Sequence, residues 1–394
     1  MKFFQKNELE LLWPFYLDLF ISRSLQFLPA FIIVFFAGLE LSFFQIGLLI
    51  ATAPLFMLIF EIPTGAISDL YGRKFSVLIG YFIEGLSMLS LFFVRDYYLM
   101  LGAFAILGFG STLSSGSKDA WIIDLVKDKK IVRSYFHKSQ SIDAFALVIS
   151  GIIGAFLVKW FGISSIWLFS FFSFIISILI LLSAKENFVK RKVKISKSFN
   201  ELINQTKKTI SYGHKHSVLY YYLVASFVFT FAVAFGMGMT WTPLLLELNF
   251  PEHYFGYMWS AMAATLMISP IISSRLLKEN KEKKFIMVSL AISVFITFFI
   301  FIPKRWVSAL LVLLAIQFFM VLRGPASKMY FHRFIPSKMR ATMGSVNSML
   351  ASLAGIIAVP IIGLLIDVIG ARYTTFIYAP ITILVIFIYS RIKE

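Results

Sequence analysis

The sequence predicts an all-α integral membrane protein with twelve transmembrane helices in two six-helix bundles, on three observations. Of 394 residues, 59% are hydrophobic and only 14% charged, whereas a soluble domain averages about 45–50% apolar and about 25% charged. A bilayer span takes about 20 mostly apolar residues, so twelve spans would use roughly 240 positions, close to the whole apolar content. Finally, apolar runs fall at 12–38, 43–67, 75–94, 97–122, 140–160, 163–183, 218–246, 254–276, 285–302, 306–327, 341–366 and 371–390. A soluble enzyme, a nucleic-acid-binding protein and a disulfide scaffold are excluded. The chain has no Cys, which removes thiolate metal sites and Cys nucleophiles.

Taken in order, the first run is too long for a signal-peptide core and contains Asp18 and Arg23, so no cleavage is expected. The second and third runs are joined by a short loop at 65–74, and most other connections are as short, which makes neighbouring helices antiparallel. Residues 184–217 interrupt the pattern with Lys185, Lys190, Arg191, Lys192, Lys194, Lys197, Lys207, Lys208 and Lys215. They predict a cytoplasmic linker, with a surface amphipathic helix near 199–210, between an N-terminal bundle at 1–183 and a C-terminal bundle at 218–394. The halves share weak internal similarity. Gly116-Ser117-Lys118-Asp119 ends the fourth run and Pro325-Ala326-Ser327-Lys328 the tenth, each followed by a basic loop (Arg133, Arg340) and a small-residue helix. Duplicated halves are a common transporter architecture.

The net charge of +17 follows topology. With a cytoplasmic N-terminus, only Arg95, Lys159, Lys304, Arg305 and Arg372 fall outside. The remaining Lys and Arg, apart from Arg23 within the first span, lie on the inner side, as the positive-inside rule requires. Both termini are therefore expected in the cytoplasm of a multi-pass plasma-membrane protein. The Phe-, Ile- and Lys-rich composition points to a prokaryotic cytoplasmic membrane.

The sharpest local signal is Gly65-Ala66-Ile67-Ser68-Asp69-Leu70-Tyr71-Gly72-Arg73-Lys74. It resembles the signature Gly-x-x-x-Asp-x-x-Gly-Arg-Lys/Arg of the major facilitator superfamily, with Gly65, Asp69, Gly72, Arg73 and Lys74 at the defining positions. Glu61-Ile62-Pro63-Thr64 and Arg340-Ala341-Thr342 are similar to further elements of that superfamily. The resemblance implies the facilitator fold, with two bundles rocking around a central site, and a gating role for the motif. Asp69, Arg73 and the start of the eleventh helix near 340–343 would form a latch on the inner side. The proton-driven drug exporters of the superfamily carry an Arg four residues before a Gly-x-Gly in the fourth helix. Here Gly108-Phe109-Gly110 is present with Phe104 at the Arg position, and Ser150-Gly151-Ile152-Ile153-Gly154 lacks the proline of their fifth helix. The chain is thus drug/proton-antiporter-like in its glycines and departs at both other positions.

Charge inside a bilayer is costly and marks a partner or a wet path. Asp18, Ser22 and Gln26 recur along one face of the first helix beside Arg23. Glu61 precedes Gly65 and Asp69 on one face of the second, and Glu84 sits mid-way along the third. Lys118 and Asp119 lie on the fourth helix, with Thr112 and Ser115 sharing the Asp119 stripe and Ser111 and Ser114 beside it. Asp143 belongs to the inner end of the fifth and Arg323 to the inner end of the tenth; Asp367, at the outer end of the eleventh, reads as a solvated cap. Glu84 and Arg23 are the deepest. A carboxylate withdrawn from water takes up a proton more readily, which suits proton coupling. Asp18, Arg23, Glu61, Glu84, Lys118, Asp119, Asp143 and Arg323 are the candidate proton or substrate path. Met237, Met239, Trp241, Tyr257, Trp259, Met262 and Met267 add soft and aromatic surface suited to amphipathic solutes.

His137, His214, His216, His253 and His332 form no His box, and no Walker loop occurs, so no metal, catalytic residue or cofactor is expected. The expected function is secondary active transport of a small molecule by a monomeric carrier in the lipid bilayer. The coupling ion would be the proton or another ion, and the direction export of an amphipathic compound. The alternatives are an uptake carrier for a small metabolite, anionic given Arg23 and Arg323, and a transport-dead sensor on the same fold.

Overall fold

Twelve helices, counted among the described residues, are long and apolar enough to cross a bilayer. A computed structural model describes residues 4–5, 8–187, 217–335 and 340–392, with the side chains of 62, 217 and 340–342 excepted. The predicted linker and its amphipathic helix, together with His214 and His216, lie almost entirely outside the described residues.

The helices of the first half are α1 (Glu8–Ser24), α2 (Leu28–Ala37), α3 (Phe43–Tyr71), α4 (Arg73–Phe93), α5 (Tyr97–Leu125), α6 (Lys129–Phe161) and α7 (Ser165–Leu182). Those of the second half are α8 (Ser217–Gly236), α9 (Trp241–Glu247), α10 (Tyr254–Leu276), α11 (Glu282–Thr297), α12 (Trp306–Leu322), α13 (Gly324–Arg333), α14 (Arg340–Ile369), α15 (Ala371–Phe376) and α16 (Tyr378–Arg391). No strand occurs among the described residues. With no water in the hydrocarbon layer, backbone polar groups must be satisfied within each segment, which leaves the helix as the economical solution.

The structure departs from the predicted boundaries where polarity hides a helix. α6 begins at Lys129, well before the apolar run at 140, because Asp128 caps it by accepting a hydrogen bond from the Lys130 N–H at 2.8 Å. Its first turns, Lys129 to Lys138, are polar and escape a hydropathy reading. The predicted loop at 65–74 is helical up to Tyr71; the turn is Gly72 alone, at φ +107°. Only glycine adopts that backbone region cheaply. The first run breaks between Ser24 and Leu28, and the tenth breaks at Arg323, after which Pro325 opens α13.

The chain packs as two compact units. The first comprises Met1–Phe35, Thr52–Phe199 and Glu252–Ser260; the second comprises Phe36–Ala51, Asn200–Pro251 and Ala261–Glu394. In the first, α4 packs on α5 and α7, and α1 on α6. Small residues permit close approach: a Cβ on Gly80 would lie 2.8 Å from the Gly110 carbonyl oxygen. Phe15, Trp121, Leu12 and Val77 form a sealed apolar core near the Glu8 end of α1. In the second, α8 packs on α14 and α16, and α11 on α12 and α16. There Asp367 is a cap, as expected, but for a distant helix: its oxygens accept the Phe43 and Phe44 N–H groups that open α3, each at 2.9 Å.

Candidate functional site

A cavity of about 660 Å³ lies in the first unit, lined by Ser22, Arg23 and Gln26 of α1, Tyr81 and Glu84 of α4, Ser111, Ser115, Lys118 and Asp119 of α5, and Gln140 and Asp143 of α6, among others. Helical spacing puts these groups on common faces. Tyr81 and Glu84 stand three apart, and Ser111, Ser115 and Asp119 recur every four.

The embedded charges are distributed unequally. Asp18 is fully buried and meets the Lys118 ammonium in a short charged contact. Lys118 also donates to the Tyr81 hydroxyl at 3.3 Å. Arg23 pairs through Nε with Asp143 at 2.5 Å and donates from Nη1 to the Gln26 side chain. Each bridge ties α1 to another helix. Glu84, only 8% exposed, has a different environment. Its oxygens accept from the Ser111 hydroxyl at 2.9 Å and the Ser114 hydroxyl at 2.7 Å, and among the described residues no cation forms an ion pair with it. A hydroxyl can donate to a carboxylate or accept from a carboxylic acid, so this seat holds either protonation state. Asp119 lines the cavity as an exposed carboxylate. Glu61 is exposed and outside the cavity lining.

The 65–74 motif builds a polar knot at the α3–α4 turn. Arg73 reaches Asp69 at 2.7 Å, the Ser68 hydroxyl at 2.9 Å and Asp124 of α5 at 3.6 Å. Lys74 donates from its ammonium to the carbonyls of Leu182 and Ala184 at 2.7 and 2.8 Å, capping the end of α7, and its backbone N–H donates to Glu186. Gly65 has no atom within 4 Å of where a Cβ would stand. Of the predicted third member of the latch, at 340–343, the side chains of 340–342 lie outside the described ones, and Met343 is fully buried.

In the second unit Arg323 stands at the α12–α13 junction, its guanidinium 3.3 Å from the centre of the Phe229 ring. Trp241 is fully buried and donates to the Gly236 carbonyl, and Met239 and Met262 are core residues, while Tyr257 and Met267 are exposed. Met239 lies in the turn between α8 and α9, and helical periodicity spreads Tyr257, Met262 and Met267 around α10.

The sequence family described as Major Facilitator Superfamily matches residues 12–359. The chain belongs to that superfamily. A relative in Bacillus subtilis (strain 168), the uncharacterized MFS-type transporter YxaM, is 21% identical over 375 residues, 92% of this chain and 90% of its own. An uncharacterized transporter of Buchnera aphidicola subsp. Schizaphis graminum is 27% identical over 228 residues, spanning 57% of this chain and 54% of its own. Among solved structures, the nucleoside transporter NupG and a D-xylose-proton symporter each superpose with TM-score 0.75, at 15% and 14% identity. They cover 95% and 97% of this chain and 98% of each neighbour. This facilitator-superfamily protein is therefore a multi-pass transporter of a small solute, not an enzyme.

In the facilitator chain two further cavity residues, Tyr81 and Gln140, carry a sequence signal. Tyr81 is one turn from Glu84, and Gln140 one turn before Asp143, so both share the faces of the flagged charges. Glu8 lies at the start of α1, yet it is fully buried and accepts from Tyr16 and Lys138, at 2.7 and 2.8 Å. Because it precedes the apolar run, nothing local distinguishes it from a solvated terminal acid.

Proposed function

We propose that this protein exports a small amphipathic solute in exchange for protons, by alternating access, with Glu84 as the proton-binding group. One observation carries the reading. In the first-unit cavity Lys118 and Arg23 are each neutralised by a carboxylate, while among the described residues Glu84 is hydrogen-bonded by hydroxyls and forms no ion pair. A carboxyl in a polar seat without an ion pair can gain and lose a proton without breaking one, whereas an ion-paired acid must give up its partner. Asp18, Lys118, Arg23 and Asp143 then hold the cavity wall in register, and Asp119 offers the exposed entry for the proton.

The same reading includes a latch of Asp69 and Arg73 with the start of α14, an N-terminal bundle at 1–183 joined to a C-terminal bundle at 218–394 by a cytoplasmic linker at 184–217, and both termini inside the plasma membrane of a prokaryotic cell. The carrier works as a monomer.

The test uses the full chain in proteoliposomes with an imposed pH gradient and a panel of radiolabelled solutes: an amphipathic cation, an amphipathic carboxylate, a sugar and a nucleoside. Gradient-driven extrusion of an amphipathic solute is expected. Glu84→Gln, permanently uncharged, should bring gradient-driven flux to background while labelled-for-unlabelled exchange continues. Undiminished proton-driven flux in Glu84→Gln would refute the assignment. A second reading, uptake of a small anionic metabolite, draws support from Arg323, and accumulation with the proton gradient instead of against it would select it.

A further inference from the structure

Cations inside a membrane protein need a countercharge, because desolvating a lone charge costs far more than hydroxyls return. Three cations of the first unit obey this: Lys118 faces Asp18, Arg23 faces Asp143 and Lys138 faces Glu8. Arg323 does not. Among the described residues no carboxylate lies within ion-pair distance of its guanidinium. One face of the group rests on Phe229. Nη1 donates to the Ser327 hydroxyl at 3.2 Å, a hydroxyl that Tyr222 shares at 3.0 Å. Nε is sealed from solvent and has no acceptor among the described residues. Tyr222, Tyr378 and Tyr389 surround the group closely enough to interact with it electrostatically, but they are neutral phenols. The Tyr378 hydroxyl is already engaged with Ser293 at 2.7 Å.

We propose that Arg323 is an anion-recognition group of the second unit, which takes the carboxylate of the transported solute. The proposal rests on the reading of this chain as a carrier of amphipathic solutes and deepens it by naming the charged end of the solute. A guanidinium is a planar fork matched to two carboxylate oxygens. Here Phe229 and Ser327 hold the fork by one face and one nitrogen, leaving the Nε edge without an acceptor. A single positive charge is balanced by a single negative one, which favours a monocarboxylate over a phosphate. The aromatic surround suits the apolar body of such a molecule.

The test is ligand-dependent thermal stability of the purified full chain, followed by light scattering at constant ionic strength and neutral pH. The probes are benzoate, the equally shaped but uncharged benzamide, and inorganic phosphate. Benzoate should raise the melting temperature of the wild type saturably, by about 2–5 °C, and the other two should not. Arg323→Gln should abolish the benzoate response. Arg323→Lys, which keeps the charge but loses the fork, should weaken apparent benzoate affinity by about tenfold; it also serves as the readout if Arg323→Gln does not fold. Ser327→Ala, which frees the fork from its anchor, should weaken affinity about threefold. No response to benzoate, an equal response to benzamide, stabilisation by phosphate alone, or an undiminished benzoate response in Arg323→Gln or Arg323→Lys would each overturn the proposal. The readout needs no gradient. Failure at Arg323 thus leaves proton-driven flux of other solutes intact, whereas failure of the carrier reading abolishes gradient-driven flux of every solute.

Discussion

At the scale of single residues, embedded charge is governed by what stands opposite it. Asp18 has no solvent exposure and relies on Lys118. Removing one partner of a buried pair leaves the other charge uncompensated, at a cost of about 3–5 kcal/mol. Lys118→Met should therefore sharply reduce folded yield and melting temperature, and the double variant Lys118→Met/Asp18→Asn should recover most of the loss. A double-variant melting temperature no better than that of the single would show that the pair is not the origin of the effect. Glu84 should behave oppositely. Its partners are hydroxyls, so Glu84→Gln should change the melting temperature little while removing proton coupling, which separates a functional carboxylate from a structural one.

At the scale of elements, two connections depend on single residues. Gly72 alone forms the α3–α4 turn at φ +107°, and a Cβ there would stand 3.1 Å from Glu186. A side chain held in such a backbone region costs about 1–3 kcal/mol, so Gly72→Ala should lower the melting temperature by that equivalent. Asp367 accepts both N–H groups at the start of α3. Loss of an N-terminal cap typically costs about 1 kcal/mol, and Asp367→Ala should show a loss of that order, with Asp367→Asn recovering part of it. If Asp367→Ala melts like the wild type, the cap contributes nothing measurable.

At the scale of the whole molecule, the proposed latch at 65–74 concerns cycling rather than stability. Arg73 bonds to Asp69, Ser68 and Asp124, so Asp69→Asn removes one of several anchors and the chain should still reach the membrane in normal amount. Transport should nonetheless fall several-fold, measured as initial flux per mole of protein in proteoliposomes. Unchanged flux would remove the latch from the account.

The sequence alone was enough for the number of spans, the superfamily and the helical class, because hydropathy and a short motif are local properties that a chain carries wherever it folds. It also marks Glu84, Asp18, Arg23 and Lys118 as candidates, since a charge in an apolar run stands out against its neighbours. It could not reveal that Lys129–Lys138 begins a helix, because polar turns carry no hydropathy signal. Nor could it show that Glu8 is buried, because an acid ahead of an apolar run looks solvated. Above all, it could not assign partners. Arg23 and Arg323 look alike in one dimension, yet one faces Asp143 and the other faces aromatic rings. Which carboxylate meets which cation depends on helices brought side by side: Asp18 and Lys118 are 100 residues apart. Only the tertiary packing decides that, because electrostatic pairing falls off over a few ångströms of space and takes no account of separation along the chain.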